Sequence, residues 1–402
     1  MLSWFKVLRS LNPSRREARR PMQRVLQLEQ LEGRVVPAGV IAVGSGAGAV
    51  PVVALFHDTN NDGSPDGVPY AEISVLSPHF LGGVRVAVGN FVGDSNLELA
   101  VAAGPGGGPR VELFRLDAND MPTGLPESFY AMNVGFSGGL FVARANTLGT
   151  GLDSLVVTAD ATGGPRVEVF NDNAAINGAT PNDGRLSNSL VDNFYVFEPA
   201  FKGGVRVAAG RNLAAAGGDF VAFAAGPCGG PRVIVVKDTN SNYMLSDDLP
   251  TAESFYAIEQ TWNGGLFVAF GDAGSPSTNP ELIVSADKGG GPRVVIFTDT
   301  NFNGKYADDG GPVSSFYAFD KNYTGGVRVA YSRLSSANVG QSGEVLVAPG
   351  SSPFTAPVEV LKTPSNTGEI KSADSPLGLF DPFGLDYLDG YFVAYGGNGL
   401  SP

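Results

Sequence analysis

The feature that most constrains this chain is a sequence unit that recurs six times along it. The clear copies share the segment GGPRV, whose proline falls at Pro109, Pro165, Pro231 and Pro292. Two degenerate copies, AVPVVALF and TAPVEVLK, place a proline at the same point of the unit, at Pro51 and Pro357. A period of roughly 60 residues indicates a repeat architecture in which each copy is one supersecondary unit.

Each unit predicts four short strands. In the first complete unit these are residues 82–89, 97–104, 109–114 and 128–132, which are rich in valine and aromatic residues and are bounded by Gly, Pro, Asn or Asp. Each unit also has an aromatic residue two positions before a glycine pair: Phe80, Phe136, Phe201, Trp262, Tyr323 and Tyr387, with Asp389 replacing one glycine in the last copy. Four strands at this period are typical of a propeller blade.

The two ends of the chain complement each other. The first unit begins at Val40 with a segment that aligns to a second strand, whereas residues 391–398 align to a first strand. Pairing these segments would close the ring and remove two exposed sheet edges. The sequence therefore predicts an all-β, six-bladed β-propeller over 40–398, with four strands per blade, preceded by a basic leader or disordered tail over 1–39.

Charge and composition exclude several classes of function. Residues 1–35 carry a net charge of +5, which leaves −18 for the rest of a chain whose total is −13. Such an acidic body argues against binding to nucleic acid. No apolar stretch is long enough for a membrane span, and Cys228 is the only cysteine. With only His57 and His79 available, a histidine-based catalytic site has little material, so we predict no enzymatic activity.

The segment VAVGNFVGDSNLELAVAAGPGGGPRVELF, residues 86–114, resembles the FG-GAP repeat of integrin-α-like propellers and their exported bacterial relatives. The resemblance covers nearly all of 40–398 and implies adhesion or ligand binding. In that family the loop between the first and second strands often binds calcium, but here it retains only Asn90, Asp94 and Glu98 in its best copy. The string LQLEQLEGRVVPA, residues 26–38, resembles a leader of exported bacterial repeat proteins. We therefore expect a secreted or cell-envelope location.

A different loop is the better candidate for Ca²⁺. In residues 57–67, HDTNNDGSPDG, oxygen-bearing side chains occupy positions 1, 3, 5 and 9 of a tight loop with a glycine at position 6: Asp58, Asn60, Asp62 and Asp66. A similar set occurs in the fifth unit, at Asp299, Asn301, Asn303 and Asp308, and another in the fourth, at Asp238, Asn240, Asn242 and Asp247. A hairpin stabilised by Asx turns, with no metal, is the alternative interpretation.

The first strands alternate between two residue types. Arginine occupies one position in three blades, at Arg85, Arg206 and Arg328, and phenylalanine occupies it in the other three, at Phe141, Phe267 and Phe392. First strands line the central channel of a propeller, so these arginines could bind an anion or a glycan there. Structural packing of arginine against phenylalanine is the alternative.

The sequence favours a non-catalytic, monomeric binding and scaffold propeller whose partner is an unidentified surface protein or glycan. Two alternatives stay open. One is a glycan-acting enzyme that uses the propeller funnel, which would need carboxylates that break the repeat in one or two blades. The other is a purely structural protein of the cell envelope.

Overall fold

A computed structural model confirms the six-bladed β-propeller. The structure describes these residues: 39–94, 96–148, 151–172, 183–210, 218–271, 279–334, 343–351, 356–362, 370, 376–384 and 386–397. Within them, every strand belongs to one of six four-stranded antiparallel sheets. The compact unit that contains them is Pro37–Pro402, and the predicted leader over 1–39 lies, except for Gly39, outside the described residues.

The first eleven strands along the chain form blades 1 to 3. Blade 1 also takes a fourth, inner strand from the end of the chain. Blade 1 has β1 (Val40–Ser45), β2 (Val52–Phe56) and β3 (Ala71–Ser74). Blade 2 has β4 (Val84–Gly89), β5 (Glu98–Ala103), β6 (Arg110–Leu116) and β7 (Pro122–Tyr130). Blade 3 has β8 (Leu140–Ala145), β9 (Ser154–Ala159), β10 (Arg166–Phe170) and β11 (Leu190–Tyr195).

The remaining blades repeat the same order from the inner to the outer strand. Blade 4 has β12 (Val205–Gly210), β13 (Phe220–Ala225), β14 (Arg232–Lys237) and β15 (Glu253–Tyr256), with a 3₁₀ turn at Leu249–Thr251. Blade 5 has β16 (Leu266–Gly271), β17 (Glu281–Ala286), β18 (Arg293–Phe297) and β19 (Ser314–Tyr317). Blade 6 has β20 (Val327–Ser332), β21 (Glu344–Pro349), β22 (Val358–Lys362) and β23 (Gly378–Phe380), and β24 (Tyr391–Gly396) follows.

The last strand closes the ring as predicted. β24 pairs antiparallel with β1 through six residue pairs, from Val40 opposite Gly396 to Ser45 opposite Tyr391. On the outer side of the same joint, the Phe56 and Phe380 rings pack edge to face at 5.0 Å between centroids, which links blade 1 to blade 6. Ring closure therefore depends on both backbone pairing and apolar packing.

Burial explains why the strands differ in sequence. The second strands, such as ELAVAA in β5 and SLVVTA in β9, are buried at every position because neighbouring blades cover both of their faces. The outer strand β15, ESFY, instead alternates between half-buried and exposed residues. The apolar core is divided into six clusters, each lying mainly between two adjacent blades.

The glycine pair that recurs from blade to blade has a steric cause, which blade 4 illustrates. Gly204 has φ +83°, and a Cβ there would lie 2.8 Å from the carbonyl carbon of Asp160 in the preceding blade. A Cβ on Gly203 would lie 2.6 Å from Cζ of Phe201, the aromatic residue two positions earlier. The first glycine thus makes room for the ring, and the second allows one blade to approach the backbone of the next.

Carboxylates on outer strands also connect adjacent blades. Asp192 of β11 accepts hydrogen bonds from the backbone N–H groups of Leu245 and Ser246 in blade 4, at 2.8 and 2.9 Å. Glu253 of β15 accepts equivalent bonds from Tyr306 and Ala307 in blade 5, at 2.7 and 2.9 Å. These charge-assisted bonds hold the long third-to-fourth-strand loop of one blade against the outer strand of its neighbour.

Because successive strands run in opposite directions, the connections of every blade fall on two faces. The Gly-rich turns between second and third strands lie on one face together with the start of each inner strand; we name this the turn face. The loops between third and fourth strands, including residues 57–70, lie on the opposite loop face. The predicted arginine site and the predicted calcium loops are therefore at opposite ends of the propeller.

Candidate functional site

The six alternating residues of the inner strands meet at the centre of the ring. The rings of Phe141, Phe267 and Phe392 pack edge to face in all three combinations, with centroids 5.9, 6.1 and 6.4 Å apart. Each guanidinium lies over two of these rings, at 4.3 to 5.5 Å from the centroids. The sequence prediction that the arginines share one end of the channel agrees with this arrangement, in which the phenylalanines fill the space between them.

Two of the three arginines are already neutralised. Arg85 Nη2 lies 2.9 Å from Asp160 Oδ2 in the next blade, and Arg206 Nη2 lies 2.9 Å from Asp287 Oδ2. Both arginines are 7% exposed. Burial lowers the pKa of Arg85 to about 10, and Asp160 opposes that effect. Because Arg85 and Arg206 are occupied by carboxylates of the chain itself, these pairings do not favour an anion or glycan site shared by all three arginines, which stays a prediction.

Arg328 has a different environment. Its Nη1 donates to the carbonyl of Pro349 at 3.2 Å, and no carboxylate of the described residues lies within ion-pair distance of it. Its Nε is buried without a hydrogen-bond partner, as are the Nε atoms of Arg85 and Arg206, so the difference between the three arginines lies in the missing carboxylate. Burial lowers the pKa of Arg328, while the negative charge of Asp287 partly opposes this.

The rim of the turn face has a repeated surface feature. In blades 2 to 5 a tyrosine at the end of the outer strand stands opposite the arginine of the GGPR turn in register. These tyrosines are 51 to 60% exposed: Tyr130, Tyr195, Tyr256 and Tyr317. The paired arginines are Arg110, Arg166, Arg232 and Arg293. We name these eight residues the tyrosine–arginine row.

Each arginine of the row is held in place by neighbours. Arg110 pairs with Glu112 at 2.8 Å and donates from Nε to the Ser128 hydroxyl at 2.9 Å. Arg232 pairs with Glu198 of the preceding blade at 2.7 Å and donates to Ser254 at 3.0 Å. The row is consequently close to neutral, and it offers aromatic rings beside fixed hydrogen-bonding groups.

A groove adjoins the row between blades 1 and 2. Its volume is about 560 Å³, and its walls include Leu76, His79, Phe80, Gly106 and Arg110. His79 thus lies on the turn face, whereas His57 lies on the loop face, where its Nε2 is 3.1 Å from Asp120 Oδ2. The two histidines do not come together.

The Asp58 loop is organised by its own hydrogen bonds. Asp58 is 2% exposed and accepts from the backbone N–H groups of Asp62 and Gly63, at 3.2 and 2.8 Å. Burial raises the pKa of Asp58, and the bond from Gly63 opposes the rise. Asp66 accepts from the Thr59 hydroxyl at 2.8 Å. These bonds are those of an Asx-turn hairpin, the alternative interpretation, and calcium binding by the same loop stays a prediction.

The fifth-blade loop repeats this arrangement with a different acid from the predicted one. Asp299 accepts from the backbone N–H of Gly304 at 2.7 Å, as Asp58 does from Gly63. The acid that accepts from the threonine hydroxyl, Thr300 at 2.8 Å, is Asp309. Asp308, chosen from the sequence, instead accepts from the Asn303 side chain. No three carboxylate or histidine groups in the described part of the chain are grouped so that they could hold a metal ion.

The sequence analysis missed Asp160 and Asp287, the partners of the central arginines. Both follow directly after a second strand, at a position where four of the six blades have glycine: Gly46, Gly104, Gly226 and Gly350. An acid that breaks the repeat in two blades was the available signal. Its role appears only when the next blade places an arginine 2.9 Å away.

Comparison with known proteins shows similarity at the level of the fold alone. No protein-family model matches the chain, and no curated protein matches it in sequence. Three solved structures are similar over most of its length. The propeller of Dos1 has 11% identity and a TM-score of 0.41, over 90% of this chain and 76% of that one.

For the other two structures, the matched region covers 99% of the length of the solved chain. A Bacteroides uniformis protein, provisionally assigned as a 6-phosphogluconolactonase, has 12% identity and a TM-score of 0.45 over 85% of this chain. A protein from Lactobacillus plantarum has 11% identity and a TM-score of 0.43 over 89%. In addition, no helix among the described residues is long and apolar enough to cross a membrane.

Proposed function

We propose that this chain is a non-catalytic, monomeric binding and scaffold propeller of the cell exterior, which engages a surface protein or glycan through its turn face. The observation that carries the proposal is the tyrosine–arginine row. Four tyrosines in equivalent places on consecutive blades are 51 to 60% exposed, so each offers a large amphipathic ring to a partner. Tyrosine and arginine are also the residues most enriched at energetically important points of interfaces.

The filled centre supports binding in preference to catalysis. A glycan-acting propeller needs free carboxylates in its funnel. Here three phenylalanine rings occupy the centre, and the two carboxylates that pair with the central arginines, Asp160 and Asp287, are engaged in ion pairs at 2.9 Å. Turnover of a polysaccharide by the full chain, abolished by substitution of one carboxylate, would establish the enzyme instead.

We also propose that the chain is an FG-GAP type of propeller, of the bacterial exported kind; the motif in residues 86–114 and the six blades support this. A secreted or cell-envelope location suits a body of net charge −18 that follows a leader-like segment. Mass spectrometry of the protein purified from its host compartment tests the location. A full-length chain recovered only from cytosol would contradict it.

Calcium at the Asp58 loop remains a prediction. Three carboxylates in one short loop repel one another, so a cation that binds only the native state would raise the melting temperature. We expect titration with CaCl₂ to raise the melting temperature of the parent but not of the Asp58→Ala/Asp62→Ala variant. Equal, calcium-independent melting of both proteins would leave the Asx-turn hairpin as the complete explanation.

The binding proposal is tested with the full chain on a glycan array and in pull-downs from a surface-protein fraction. Replacing the four row tyrosines with alanine should abolish the partner's retention, because the ring faces would be lost while the blades remain packed. A matched control replaces exposed apolar residues away from the turn face: Val68, Leu125 and Phe302 to serine. Retention lost equally in both variants, or in neither, would reject the row as the binding surface.

A further inference from the structure

Three inner-strand arginines occupy equivalent positions but do not have equivalent partners. Arg85, Arg206 and Arg328 are each the second residue of their inner strand, and each lies over two rings of the central phenylalanine trio. Arg85 and Arg206 each donate to an aspartate of the following blade at 2.9 Å. For Arg328 the following blade is blade 1, because the ring is closed by β24.

The residue in blade 1 that corresponds to the two aspartates is Gly46. Asp160, Asp287 and Gly46 each follow directly after the second strand of their blades. Gly46 has no carboxylate to offer, and a Cβ there would lie 1.8 Å from the carbonyl oxygen of Asp389, so no side chain fits without a shift of that backbone. Within the described part of the chain, the third arginine therefore lacks the acid that its two counterparts have.

The net charge at the centre of the ring follows from these ion pairs. Three guanidinium groups and two carboxylates leave a net charge of +1 in a cluster packed around three aromatic rings. The Phe392 ring, 4.3 Å from the Arg328 guanidinium, offsets part of the cost of that charge, but a ring is a weaker partner than a carboxylate. Arg328 is also more accessible than Arg85 and Arg206, since it is half-buried and they are buried.

From these observations we infer that Arg328 binds the carboxylate group of a small monoanionic ligand at the turn face, between blades 6 and 1. The two internal ion pairs show the geometry the ligand would take, with a carboxylate oxygen 2.9 Å from Nη2. A single negative charge is required, because a monoanion neutralises the cluster and a dianion would leave it negative. This site uses none of the residues of the tyrosine–arginine row and does not rest on the proposed function.

The inference is tested by equilibrium dialysis of the full chain with radiolabelled acetate at constant ionic strength. We expect one saturable site per chain. Arg328→Met should abolish it, and Arg328→Lys, which keeps the charge but loses the planar fork, should weaken it at least about tenfold. Lys202→Gln is the matched control, because it removes an exposed positive charge beside the start of β12 on the same face, outside the tyrosine–arginine row, and should leave acetate binding unchanged.

Uncharged acetamide, which has the shape of acetate, should neither compete nor raise the melting temperature. If Arg328→Met fails to fold, the parent, Arg328→Lys and acetamide measurements still decide the question. The inference is overturned if the parent binds no acetate, if Arg328→Met or Arg328→Lys binds it as well as the parent, or if acetamide competes equally. In any of these cases Arg328 would have a structural role, through its cation–π contacts and its hydrogen bond to the Pro349 carbonyl.

Discussion

The ion pair between Arg85 and Asp160 should contribute far more to stability than an exposed pair of the same type. Both side chains are 8% exposed, and the guanidinium lies between the Phe141 and Phe392 rings. Asp160→Ala leaves a buried charge without its carboxylate, which typically costs about 3–5 kcal/mol. At an unfolding entropy of about 2.1 cal/mol/K per residue, a propeller of roughly 360 residues would lose about 5 °C in melting temperature.

A double-mutant cycle with Arg85→Met separates the pair from other effects of the substitutions. With both partners removed, no unpaired charge remains, so the double variant should be more stable than the sum of the single losses predicts, by about 2–4 kcal/mol. Urea denaturation followed by tryptophan fluorescence measures each free energy of unfolding. The control cycle uses Arg110 and Glu112, 2.8 Å apart, where the arginine side chain is 40% exposed and the coupling should be below about 1 kcal/mol. Equal coupling energies in the two cycles would refute the importance of burial.

Three further outcomes are expected. Gly204→Ala should lower the melting temperature more than Gly230→Ala does. Both glycines have positive φ, but only at Gly204 would a Cβ lie 2.8 Å from the backbone of another blade. Equal losses of melting temperature would reject the inter-blade contact as the cause. Deleting 391–402 removes the inner strand of blade 1 and the Phe392 ring of the central trio. In calorimetry, the cooperative unfolding transition should be lost, or its midpoint should fall by more than about 10 °C. An unchanged transition would contradict closure by β24. Burial raises the pKa of Glu98 to about 7. The stabilisation that its neutral form gives should therefore be complete below about pH 4.5 and be lost as the pH rises through 7. In urea denaturation at a series of pH values, Glu98→Gln should lack this fall in the free energy of unfolding.

The architecture could be predicted from the sequence because each strand-forming segment and each turn is recognisable from residues that are adjacent in the chain. Four β-rich segments per unit, six units and complementary chain ends predicted the blade count and the closure by residues 391–396. Strand limits were less exact where a loop departs from the repeat. The predicted fourth strand of blade 2, 128–132, is Pro122–Tyr130, because a short hairpin turn at 117–121 lets the two outer strands pair further.

The candidate sites were harder to predict because their partners come from other blades. The alternation of arginine and phenylalanine was visible in the sequence. Its consequence is that, among the described residues, two arginines are neutralised and the third has no carboxylate partner, and this depends on the contacts between blades 2 and 3, 4 and 5, and 6 and 1.

The degree of repetition separates structural residues from candidates for binding. The second glycine of the pair, present in all six blades with φ from +75° to +94°, is explained by contact between blades. The alternating arginine and phenylalanine are explained by the packed centre. The row tyrosines occur in only four blades and are at least 51% exposed, so packing does not account for them. The glycine at position 46 leaves Arg328 without the carboxylate that its counterparts have. A search for ligands should therefore begin at these two places on the turn face, which separate variants can test independently.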